Sequence, residues 1–86
     1  MEYPEYEEIA KALLAFIHAN GGSVNPKECY ESLADHFKLS LTDRNMARKD
    51  GRAGRQWDNR VQWTRQRLVN RGSVDERQRG LWKIKI

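Results

Sequence analysis

The chain has 86 residues, 38% hydrophobic and 33% charged, with a net charge of +4. A chain this short buries only about 60% of its unfolded surface, so it forms one small domain, 1–86, without a deep substrate cavity. No apolar run approaches the roughly 20 residues needed to cross a bilayer, and the acidic start MEYPEYEE lacks the basic region of a signal peptide.

The single cysteine, Cys29, cannot form an internal disulfide, which points to a reducing cytoplasm. The charge is unevenly spread. Residues 1–43 hold three Lys/Arg against eight Asp/Glu, a net of −5, while residues 44–86 hold thirteen against four, a net of +9. Such asymmetry points to a polyanion partner. Ten of the thirteen are arginine, whose forked donors suit phosphate.

A first helix is predicted from near Pro4, with Glu5, Glu7 and Glu8 at the positive end of its dipole. Tyr6, Ile9, Ala10, Leu13 and Ile17 recur at helical spacing, and Asn20 with Gly21-Gly22 ends the run. Ser23-Val24 suits a very short strand. Asn25-Pro26-Lys27-Glu28 reads as the start of a second helix, with Asn25 as N-cap and Pro26 in the first turn. Its apolar face is Cys29, Tyr30, Leu33, Ala34 and Phe37. Thr42-Asp43 opens one further turn through Met46.

From Arg48 to Gln56 the text RKDGRAGRQ holds two glycines and no large apolar residue, so it is a loop. Loops of this length in small domains are functional or mobile. A third helix runs from about Gln56 to Arg71, without a clear cap at its start, and Gly72 ends it. Val74 to Arg77 and Leu81 to Ile86 are strands of a hairpin. Trp82, Ile84 and Ile86 alternate with Lys83 and Lys85, giving one apolar and one basic face. The expected fold is α+β and mostly α: a winged helix-turn-helix of three helices plus a C-terminal β-hairpin that seals the core. In DNA-binding versions of that fold the third helix enters a groove and the hairpin flanks it.

Gly51-Arg52, the stretch WDNRVQW from Trp57 to Trp63, and RGSVDERQRGLWKI from Arg71 to Ile84 resemble the N-terminal domain of Mrr-type restriction proteins. The resemblance covers about Pro4 to Ile84, with its specific part in the last thirty residues. It implies a winged helix that recognises DNA and is joined to a separate nuclease domain. It does not imply cleavage by these residues. With the sequence ending at Ile86, the expectation is a domain cut from a longer protein or a module used alone.

On a helical wheel Trp57, Val61, Thr64 and Leu68 form the buried stripe of the third helix, and Asn59, Arg60, Trp63, Arg67 and Arg71 lie along its flank. Arg, Asn and Gln make paired hydrogen bonds to guanine and adenine edges. The alternative is that this face is only solvated. Trp63 sits between core and basic face. It is expected to pack under the hairpin or against the first helix, with DNA contact as the other role.

Arg48, Lys49, Arg52 and Arg55 in the loop are a candidate phosphate clamp, although the Gly-Lys-Ser/Thr ending of a P-loop is absent. The alternative is a disordered basic loop. Arg77 and Arg79 at the hairpin tip are candidates for a phosphate or a minor groove, or serve as charged protection of a strand edge. Cys29, His18 and His36 form no metal pattern, and Asp75-Glu76 near Lys83 is too little for a nuclease site. No cofactor and no catalytic residue is expected. The reading is therefore a module that binds double-stranded DNA, B-form because its major groove admits a helix. The rival from another class is a winged-helix protein-interaction module. A third possibility is a small nuclease or its targeting subunit.

Overall fold

The computed structural model describes residues 3–75 and 80–85. Helix α1 spans Tyr6–Ala19 and buries Ile9, Ala10, Leu13 and Ile17, the stripe that the 3.6-residue period selects. Strand β1 is Ser23–Val24, helix α2 is Pro26–His36 and helix α3 is Leu41–Arg44. Helix α4 spans Gln56–Asn70, followed by strands β2 (Val74–Asp75) and β3 (Trp82–Ile84).

The ends of the helices follow local chemistry. At α2 the Asn25 side chain accepts from the Lys27 N–H at 2.9 Å, and Pro26 occupies the first turn. Helix α3 opens at Ser40, two residues earlier than Thr42-Asp43 suggests, and ends at Arg44. Ser40 Oγ accepts from the Asp43 N–H at 3.1 Å and donates to its carboxylate at 2.9 Å, so the serine and the aspartate three residues on cap each other.

The three long helices share one stop. Gly22 N–H donates to Ile17 O and Gly21 N–H to His18 O after α1. Ser73 N–H to Leu68 O and Gly72 N–H to Val69 O repeat the pattern after α4. After α2 the pair is Leu39 N–H to Ala34 O and Lys38 N–H to Asp35 O. There the left-handed position is held by Lys38, with φ of 56°, in place of glycine. Leu39 and Ala34 are both buried, so an apolar contact accompanies the turn and offsets its strain.

The three strands form one antiparallel sheet in the order β1-β3-β2. Val24 lies opposite Trp82, and Val74 opposite Ile84. Trp82 and Val74 are buried and Lys83 is exposed, as the alternation predicts. The arrangement is α+β, with four helices and a small sheet, compatible with a winged helix.

Trp57 sits at the centre of the core, with no exposed surface. Its indole N–H donates to Tyr30 O at 2.9 Å, and its ring meets Tyr3 at 5.6 Å and Phe37 at 6.3 Å. Cys29 is also core, and burial pushes its thiol up to about 12, so it stays protonated. Among the described residues no helix is long and apolar enough to cross a membrane.

Candidate nucleic-acid interface

Helix α4 turns Trp57, Val61, Thr64 and Leu68 inward. The face opposite that stripe is an amide row with one aromatic: Asn59, Gln62, Trp63, Gln66 and Asn70, at i, i+3, i+4, i+7 and i+11. Trp63 is 56% exposed, which overturns the expectation that it packs under the hairpin or against α1. The reason is rotational: at about 100° per residue it points well away from the buried stripe. Val69, also off the stripe, does pack against the core.

The arginines flank this row. Arg60 donates from Nε to Pro4 O at 3.0 Å, and its guanidinium lies 4.3 Å from the centre of the Tyr6 ring. The guanidinium of Arg67 lies 4.2 Å from the same ring. Stacking occupies the face of a guanidinium and leaves its in-plane donors on the edge. Arg71 pairs with Glu7 of α1, and that guanidinium holds the Glu7 carboxyl below the usual carboxylate range.

The 48–56 segment is closed at its base. Ala47 and Arg55 form an isolated antiparallel bridge, Gln56 N–H donates to Met46 O at 2.8 Å and Arg48 N–H to Gly54 O at 3.4 Å. Inside the loop Asp50 accepts from the Arg52 N–H at 3.1 Å and from Arg48 at 2.7 Å. These bonds, the backbone one first, hold the Asp50 carboxyl down and keep it charged. The alternative of a disordered basic loop thus gives way to a built turn. Gly51 and Gly54, with φ of 78° and 104°, supply the backbone angles it needs.

Arg55 is the loop's anchor. Its Nε and one terminal nitrogen donate to both oxygens of Asp58 at 3.0 and 2.8 Å. The guanidinium also donates to Glu31 of α2 at 2.7 Å and to Asn45 at 3.1 Å. Asp58 and then Glu31 raise its affinity for the proton further. Replacing Arg55 by alanine removes a fork of charged hydrogen bonds at a half-buried side chain. Destabilisation of about 1–3 kcal/mol is expected, read as a lower denaturant midpoint with an unchanged slope.

The expected site residues therefore fall into groups. Arg48, Arg52, Asn59 and Trp63 line one open groove of about 440 Å³, together with Gln62, Gln66 and Arg65 of α4. Arg48, Lys49, Asn59 and Arg60 line an adjoining groove of about 320 Å³. Arg67 stands on the α1 flank, and Arg55 is turned into the protein. Arg77 and Arg79 lie outside the described residues. Gln62, Gln66 and Arg65 escaped the sequence reading, although the spacing of Gln62 and Gln66 around Asn59 and Trp63 carries the signal. Tyr30 and Trp82, which also line the larger groove, could be read only as core. Among the described residues no group of three or more His, Cys, Asp or Glu could hold a metal.

The fold and this surface define a small α+β domain with an amide-faced, arginine-flanked helix. The family model of the Mrr N-terminal domain matches residues 6–85, essentially the whole chain, and the chain belongs to that family. No curated protein and no solved structure matches it significantly.

Proposed function

We propose that this domain binds double-stranded DNA as the target-recognition module of a restriction-type protein, with any cleavage carried by a nuclease domain in cis. The observation that supports it best is the groove in which Arg48 and Arg52 of the loop meet Asn59, Trp63 and the glutamines of α4. In this reading α4 enters the major groove. Its outward amides suit adenine edges, which take paired hydrogen bonds from Asn or Gln. Arg48, Lys49 and Arg52 grip phosphates on one side of the helix. Arg60 and Arg67, stacked on Tyr6, offer their edges on the other. Arg55 is assigned to anchoring the loop, since its donors are engaged within the domain.

The test is a titration of labelled duplex at several salt concentrations. Neutralising about four to six phosphates gives a plot of log K against log salt with a slope of roughly −4 to −5. No binding even at low salt removes the proposal. The second reading, a protein-interaction module, draws on the exposed Leu41, 75% accessible, and on Trp63. It predicts salt-insensitive capture of a protein partner and no affinity for duplex.

A further inference from the structure

We infer that the groove between α4, the start of α2 and β3 is a subsite for a single unstacked nucleobase, rotated out of a duplex or left unpaired in it. The inference rests on the DNA reading above and adds what the groove holds. At about 440 Å³ the groove lies within the roughly 300–1,000 Å³ of small-ligand sites. Tyr30 and Trp82 line it with rings meeting edge to face at 5.8 Å, and Trp63 lines it as an exposed indole. An exposed indole among amides is an apolar plane, and among the described residues no ring or guanidinium stacks on it. Every base has a π-face that fits such a plane.

The polar groups point the same way. Arg65 lines the groove and adds a cation to its wall. Gln62 donates to the Tyr30 hydroxyl at 2.8 Å, which fixes its amide and leaves the carbonyl oxygen as an acceptor. Asn59 brings an amide whose side chain has no hydrogen bond among the described residues. On the loop side Arg52 is 78% exposed and 4.0 Å from Asp50, so it can meet a phosphate. An aromatic plane, edge donors and acceptors and a nearby cation match a nucleotide: base face, base edge and phosphate.

Two short duplexes test this, one fully matched and one identical except for a single unpaired 2-aminopurine. An unpaired base costs less to extrude, so the parent protein should bind the second duplex roughly five- to fifty-fold more tightly. The fluorescence of 2-aminopurine should fall as the base stacks. Trp63→Ala should lower both affinities, bring their ratio close to one and abolish the quenching. Trp63→Phe should retain most of the preference. Circular dichroism verifies the fold of each variant. Equal affinity of the parent for both duplexes, or a preference that persists in Trp63→Ala, overturns the subsite and leaves duplex binding standing. Binding of neither duplex removes both readings.

Discussion

Trp57→Ala is expected to lower the stability of the domain by about 3–5 kcal/mol, read as a much reduced urea midpoint. Removing a fully buried tryptophan costs about 3–5 kcal/mol in lost transfer energy and cavity formation. A domain of 86 residues has a total stability of roughly 4–13 kcal/mol at about 0.05–0.15 kcal/mol per residue. The loss is therefore comparable with the lower part of that range. The position has no slack: the indole spans from the Tyr30 carbonyl to the rings of Tyr3 and Phe37. Alanine would also leave the Tyr30 carbonyl without its donor. Trp57→Phe should fall between, since it keeps an aromatic ring and loses the N–H. Urea unfolding followed by circular dichroism separates the three proteins. A Trp57→Ala midpoint within experimental scatter of the parent's would mean that the core is centred elsewhere.

The double substitution Lys49→Ala with Arg52→Ala should weaken DNA binding in a way that salt reveals. Both residues are exposed, so stability should change by less than about 0.5 kcal/mol. If each side chain neutralises one phosphate, the slope of log K against log salt becomes shallower by about two. The loss should be nearly the same for every duplex sequence, because phosphate contacts carry no base information. Asn59→Ala should behave in the opposite sense, changing sequence preference with little effect on the slope. An unchanged slope in the double variant would take the loop out of the interface. Asp50 sets a pH limit on this comparison. Its carboxyl is held down by the Arg52 backbone and by Arg48, so the turn is intact above the usual carboxylate range. It loosens as acid protonates Asp50 through that lowered value.

The helices, the short strands and their order were legible in the sequence because each rests on local chemistry. Periodicity placed Ile9, Leu13 and Ile17 inside, Asn25-Pro26 opened α2, and glycines closed α1 and α4. The alternation of Trp82, Lys83 and Ile84 set the face of the last strand. The stop of α2 was less legible, since Lys38 carries no glycine signal. Its turn forms because Leu39 reaches the core beside Ala34.

The sequence by itself determined that basic charge gathers in the second half and that α4 carries the arginines and amides. Only the tertiary structure decided which of them face outward. Arg55 and Arg71 look equivalent to Arg52 along the chain, yet Glu31 and Glu7 reach them from elsewhere in the fold. Trp63 fell between core and basic face on the wheel and was expected to pack under the hairpin or against α1. Its exposure follows from α1, α2 and the sheet all packing on other sides of α4. A side chain's partners depend on residues distant in sequence, and one helix's period cannot specify where its neighbours lie.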